Sequence, residues 1–267
     1  MTIIFNNYQM KTILSLLLAM CTFSSNAQMK TIESGVYKWK DHPVEKNENR
    51  ESRKILEGTS PHFIYLEIHA TTQNKGAKPG PAHANEDIEE LIIVKEGKMK
   101  VTIEDQSWVL GPQGIVLLMP QQMHSLENIG DGPLTYFVMR YRSKNSMNLE
   151  QGQKEGGSLV LNVDSLKYIE KPDGSKGGTA YFDRPTAMCE RFEMHITQLN
   201  QKGPSHDPHE HEETEIILVI SGETEMSIDG KKYEAGEGDF YFARSGEMHG
   251  VGNATDNPCS YFAFKWR

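Results

Sequence analysis

The sequence predicts an all-β protein made of two tandem copies of one small β-barrel domain. Three observations carry this. Glu90-Leu91-Ile92-Ile93-Val94-Lys95-Glu96-Gly97 is matched by Glu215-Ile216-Ile217-Leu218-Val219-Ile220-Ser221-Gly222, an offset of 125 residues. The same offset pairs Ile103 with Ile228, Gly111 with Gly236, Met123-His124 with Met248-His249, Asn128 with Asn253 and Tyr136-Phe137 with Tyr261-Phe262, so the chain is an internal duplication. Its apolar runs are short and stop at Gly-rich turns, and neither copy carries the periodicity of a convincing amphipathic helix. The repeat is too long for a solenoid unit, so each copy should own a core.

Taken in order, the chain opens on a processing signal. Lys11 precedes the apolar run Thr12 to Phe23, and small residues follow at Ser25 and Ala27. A basic start, a short apolar core and a small-residue exit predict a signal peptide over 1–27, cleaved after Ala27, and an exported, periplasmic or secreted protein. The run is too short to span a bilayer, so no membrane span is expected once it is removed.

The first copy is expected over 29–145. Its strand Glu90 to Val94 is apolar at both parities, so one face should fill a barrel while the other packs on a neighbouring sheet. Upstream the repeat offset becomes 126, pairing Glu67, His69 and His83 with Glu193, His195 and His209. One extra residue between Asn85 and Glu90 explains the change. Ser143 to Gly157 is polar and reads as the linker between copies. Leu159 to Val163 is expected to form a strand leading into the second copy, which spans 158–267.

In that copy Met226-Ser227-Ile228 alternates, turns at Asp229-Gly230 and resumes at Lys231-Lys232-Tyr233, a strong hairpin signal. Phe240-Tyr241-Phe242 and Tyr261 to Trp266 are aromatic, strand-like runs. Packing of the two copies through their apolar sheet faces is expected, because an uncovered pair would expose a large apolar patch. Cys189 and Cys259 remain after signal cleavage, either as buried free thiols or as a disulfide.

The second copy also gathers metal-binding side chains. His209 and His211, one residue apart, point the same way on an extended segment, Glu215 follows after a short bend, and His249 arrives from another strand. Three imidazoles and one carboxylate suit one divalent transition metal, whether Mn, Fe, Ni, Cu or Zn. The first copy aligns His83, Asn85, Glu90 and His124 with this set. Asn85 replaces an imidazole with a neutral amide oxygen, a poor donor for such ions, so a weak or vestigial site is expected there. His195, Tyr241 and Arg244 are candidate substrate contacts, and His206 is expected to be solvated. No residue is assigned a catalytic role.

At these residues the chain resembles the cupin superfamily. Its first motif, G-x5-H-x-H-x3-E-x6-G, is met at every term by Gly203, His209, His211, Glu215 and Gly222. Its second, G-x5-P-x-G-x2-H-x3-N, is met by Gly238, Gly246, His249 and Asn253, with Arg244 where proline is usual. The resemblance covers both copies and implies a bicupin of two jelly-roll barrels. Bicupins include oxalate decarboxylases, flavonol and gentisate-type dioxygenases and ureidoglycine aminohydrolases. The metal pattern of the last group, with glutamate first and glutamine closing the set, differs from the arrangement here.

The expected function is a metal-dependent enzyme acting on a small polar or anionic organic molecule by dioxygenase, decarboxylase or lyase, or aminohydrolase chemistry. The alternative is a non-catalytic protein in which the metal braces a sugar or organic-acid binding site, as in storage or sugar-sensing cupins. A homo-oligomer is compatible with either. A formal net charge of -9, with no basic stripe, excludes nucleic acid as the expected partner.

Overall fold

The computed structural model describes residues 29–267. The signal-peptide reading falls on residues 1–27 and lies outside them.

The molecule is two jelly-roll barrels in tandem. In the first, the strands Arg50–Gly58, Phe63–Gln73, Leu134–Ser143, Glu89–Glu96 and Ile115–Leu118 lie side by side in a seven-stranded sheet. It faces a three-stranded sheet of Met99–Ile103, Gln106–Leu110 and His124–Asn128. The second repeats the plan: Lys176–Arg184, Phe192–Leu199, Cys259–Trp266, Thr214–Ser221 and Phe240–Ala243 form the large sheet. Its smaller partner has four strands, Gly203–Pro204, Thr224–Ile228, Lys231–Ala235 and His249–Asn253.

Strand alternation sorts the side chains between two kinds of core. On Thr214–Ser221 the odd positions Ile217 and Val219 enter the second barrel, while Ile216 and Leu218 point outward into a shared core. Glu90 to Val94 divides in the same way, with Ile92 and Val94 inside and Leu91 and Ile93 outside. This is the physical meaning of apolar residues at both parities: the large sheets of the two barrels pack on each other. Phe63 and Tyr141 of the first copy meet Trp266 and Phe192 of the second in this layer, with the Phe63 and Trp266 rings stacked at 5.1 Å. Each such side chain contributes about 2 kcal/mol by leaving water.

The copies also exchange edge strands. Gly35–Tyr37, at the start of the first copy, pairs antiparallel with Phe240–Ala243 of the second barrel. Leu159–Leu161 pairs with Ile115–Leu118 of the first. The strand expected to lead into the second copy does form, but it closes the edge of the other one. A strand edge is satisfied by whichever backbone reaches it, and the linker folds this one back. That linker is not plain coil: Leu149–Lys154 is a short helix whose first turn is capped by Asn148 Oδ1, accepting from Gln151 N–H at 2.9 Å.

Cys189 and Cys259 are free and buried. Cys189 belongs to the shared core and Cys259 to the interior of the second barrel, so different cores hold them and the disulfide option falls away.

Candidate metal centre

Glu215 begins an interior strand, and its parity, shared with Ile217 and Val219, aims it into the second barrel. His249 begins His249–Asn253 across the barrel. Its backbone exchanges hydrogen bonds with that of His209 at 2.9 and 2.8 Å, which brings the loop bearing His209 and His211 over the same opening. The three imidazole rings stand 4.8–5.3 Å apart between centroids. His249 Nε2 lies 2.8 Å from Glu215 Oε2, and His211 Nε2 lies 3.5 Å from the same oxygen.

The ring orientations are fixed from behind. His211 Nδ1–H donates to the Glu213 carbonyl at 3.0 Å, and His249 Nδ1–H donates to the Glu247 carbonyl at 2.7 Å. Each bond occupies Nδ1–H and turns Nε2 toward Glu215, so that once Nε2 is deprotonated its lone pair is aimed as a metal ligand's must be. His211 Nε2 is buried and makes no hydrogen bond. An orphaned buried acceptor is costly unless something electrophilic sits against it, so the donor set fits a divalent ion. Burial would raise the Glu215 pKa, but the imidazoles of His211 and His249 outweigh it and hold the carboxyl well below its usual range. For His249, burial opposes protonation, and Glu215 overcomes it to raise the pKa.

The four side chains lie beside a cavity of about 530 Å³, whose lining includes His209, Glu215 and His249. His195 also borders it, as expected, with Nδ1 at 3.2 Å from Glu193 Oε1. The hydrogen bond from His195 outweighs burial and holds the Glu193 pKa down at about 2, so the residue is a carboxylate.

Tyr241 and Arg244 do not border the cavity. Tyr241 is fully buried in the apolar interior, its hydroxyl donating to the Thr224 carbonyl at 2.9 Å. Arg244 meets Glu247 and Ser34 through its backbone N–H, at 3.0 and 3.2 Å.

Residues not foreseen also line it, among them Lys176, Lys265, His206 and Asp207. Lys265 was legible in principle, because it shares the parity of Tyr261 and Ala263 on a strand already recognised. His206, expected in solvent, is exposed but lies edge-on to His209, 4.6 Å between ring centroids.

In the first barrel His83, Glu90 and His124 also converge, each offering a ligand atom within 4.8 Å of the others. His124 Nε2 is 3.1 Å from Glu90 Oε2. Asn85 is drawn elsewhere, its Oδ1 accepting from Arg140 Nη2 at 3.1 Å. Arg140 Nε stands 3.0 Å from Glu90 Oε1, so a guanidinium borders this cluster.

The chain was compared with known proteins. The model of the cupin domain family matches it twice, over residues 71–140 and 195–265. No curated protein matches the chain in sequence. Among solved structures it is similar to YlbA from E. coli, with a TM-score of 0.66 and 15% identity, covering 91% of this chain and 95% of that one. AerE from Microcystis aeruginosa aligns with a TM-score of 0.64 and 15% identity, over 85% and 97% of the two chains. The Lactobacillus farciminis oxalate decarboxylase, solved as a formate complex, aligns with a TM-score of 0.66 and 13% identity, over 89% and 87%. At these identities the likeness establishes the fold.

Proposed function

The chain belongs to the cupin family, and from that premise we propose that its second barrel holds one divalent transition metal and acts as an enzyme on a small anionic organic molecule. The observation that carries this is the convergence of His209, His211 and His249, with Nε2 of His211 and of His249 turned toward the Glu215 carboxylate beside an open cavity.

When bound, the ion would supply Lewis acidity, or redox chemistry if its identity allows. The chain's own residues supply the rest. Lys176 and Lys265 place two ammonium groups on the cavity wall. Lys176 Nζ donates to the Ser205 carbonyl at 2.7 Å and has no carboxylate partner among the described residues, so a carboxylate group on a ligand would complete it. Lys265 Nζ, 3.4 Å from Glu193 Oε2, is partly neutralised already. A small carboxylate is therefore the favoured class, in keeping with a structural neighbour that is an oxalate decarboxylase bound to formate.

The Glu193–His195 pair provides the proton-transfer group that sequence alone did not offer. His195 Nδ1 lies 3.2 Å from Glu193 Oε1, and an imidazole on the cavity wall can take a proton from a ligand or return one. This pair favours the enzyme over a metal-braced binding protein.

The first test is elemental analysis of wild type, His211→Ala and Asn85→Ala. One metal per chain is expected in wild type and in the Asn85 variant, with loss in the His211 variant. Full occupancy after His211→Ala would sink the assignment. Substrate class is read by thermal shift of the loaded protein with small mono- and dicarboxylates. Stabilisation that disappears in Lys176→Ala is expected, and indifference to every carboxylate counts against this class.

We further infer that this chemistry takes place outside the cytoplasm, on the strength of the Lys11 to Ala27 signal pattern. Intact-mass measurement on protein from the native host should give a mature chain starting near Gln28.

A further inference from the structure

We propose that the first barrel is a metal-free counterpart of the second, in which the Arg140 guanidinium supplies the positive charge that an ion would otherwise bring. The comparison rests on the metal reading of the second barrel, and its test is built to fail separately.

Arg140 lies on Leu134–Ser143, the strand between the two that carry Glu67 and Glu90, and is the direct register partner of both. Its side chain reaches three groups, one by a hydrogen bond and two carboxylates at ion-pair distance. Nε is 3.0 Å from Glu90 Oε1, Nη1 is 3.6 Å from Glu67 Oε2, and Nη2 donates to Asn85 Oδ1 at 3.1 Å. The other oxygen of Glu90 faces His124 Nε2 at 3.1 Å. One oxygen of the would-be ligand thus has a permanent cation at ion-pair distance, without hydrogen-bond geometry, and the other faces His124. Glu90 is buried, so that charge needs a partner.

The second barrel shows what changed. Lys265 occupies the register position of Arg140, paired with Glu193 on one side and Glu215 on the other. Its ammonium lies 3.4 Å from Glu193 Oε2, while Glu215 is approached by His211 and His249. Lysine carries a compact point charge, whereas arginine presents a planar fork that can serve several acceptors at once. Asn85, the counterpart of His211, supplies the amide oxygen that the fork's third arm takes up. The copies differ at both positions, and in the first barrel the two new residues touch, Arg140 Nη2 donating to Asn85 Oδ1. The asparagine removes a metal donor and adds an acceptor, and the arginine, with the same charge as lysine, carries that charge to Glu90, whereas the Lys265 ammonium stays with Glu193. His83, Glu90 and His124 still converge, but an ion joining them would stand beside a cation already held by the same carboxylate.

The experiment uses the full chain, stripped with chelator and titrated with cobalt(II), whose visible absorption reports bound ion and ligand number. Wild type should bind one equivalent. The double variant Asn85→His with Arg140→Lys, which gives the first barrel the second barrel's residues, should bind one more. If wild type binds none and the double variant gains one, the proposal stands and the metal reading of the second barrel fails. A wild type that binds two equivalents, one of them lost in His83→Ala, overturns the proposal. So does a double variant with native circular dichroism and no added cobalt.

The reverse exchange guards against a first-barrel variant that does not fold. His211→Asn should lower the melting temperature of the metal-free protein. Adding Lys265→Arg should recover at least half of that loss, because the fork can then bridge Glu215 and the new amide. No recovery would overturn the proposal.

Discussion

His249 sits where a proton and a metal ion would compete for one nitrogen. Its Nδ1–H is held by the Glu247 carbonyl, and Nε2 lies 2.8 Å from Glu215. In metal-free protein the pair raises the His249 pKa above 6.5 and lowers that of Glu215 below 4.5. The raised histidine contributes stability that is fully present below about pH 6.5 and is lost as pH rises through its folded value. The depressed carboxyl contributes stability present above about pH 4.5 and lost only as pH falls through its folded value. The pair therefore stabilises the stripped protein most in mild acid. A metal requires His249 unprotonated, so its benefit runs the other way. The melting-temperature gain on metal loading should widen from about pH 5.5 to about pH 8. A gain that stays flat across this range would show that His249 is not a ligand. The candidate ligands were read from spacing alone. The proton-holding carbonyls were not, because they depend on how each loop curls behind its ring.

The element that ends the Glu215 strand turns at Gly222, and the equivalent strand of the first copy turns at Gly97. Both have positive φ, +73° and +89°, where L side chains are strained. Both are also crowded: a Cβ at Gly222 would lie 2.6 Å from the Pro258 carbonyl oxygen, and one at Gly97 would lie 2.4 Å from that of Pro133. The hairpin glycine Gly230 shares the conformation, at φ +78°, but has open space around it. Gly230→Ala should therefore cost about 1–2 kcal/mol, the left-handed strain alone. Gly222→Ala should cost about 1–3 kcal/mol more, since the approaching backbone cannot yield cheaply. Urea melts of the two variants check this, and equal losses would remove the close-approach explanation. The repeat showed that these glycines correspond. That one set is held by a neighbouring backbone while another merely turns a hairpin appears only when the strands are assembled.

Over the whole molecule, the copies are joined twice, by the shared core around Phe63, Tyr141, Phe192 and Trp266 and by the exchanged strands Gly35–Tyr37 and Leu159–Leu161. Glu89 adds a buried polar tie. Its carboxylate accepts from Tyr141 of its own copy at 2.8 Å and from Thr186 of the other at 2.6 Å. Cutting the linker within Leu149 to Gly157 should therefore leave the halves together. After limited proteolysis there, one peak of unchanged elution volume is expected on size exclusion, with both fragments in it. Fragments that elute separately and stay soluble would mean that the inter-sheet core contributes little. Each isolated half would expose one side of the shared core and an unpaired strand edge, so separate expression should give aggregated material.

Much of this protein was settled by local rules. Repeat register and period-two alternation identified the duplication, the barrel-facing residues Glu90 and Glu215, and the outward apolar faces that bring the sheets together. Ligand chemistry distinguished His211 from Asn85. These follow from the sequence because a strand's two faces depend only on parity, and a side chain's donors only on its type. Contacts between distant segments decided the rest. Tyr241, within the second motif in sequence, is spent on the barrel's apolar interior, while Lys176, far from either motif, borders the cavity. Leu159–Leu161 lies on the first barrel's edge, and Arg140 enters the site that Asn85 vacates. Parity says which face a residue takes, but which neighbour its atoms reach depends on the packing of strands far apart in the chain.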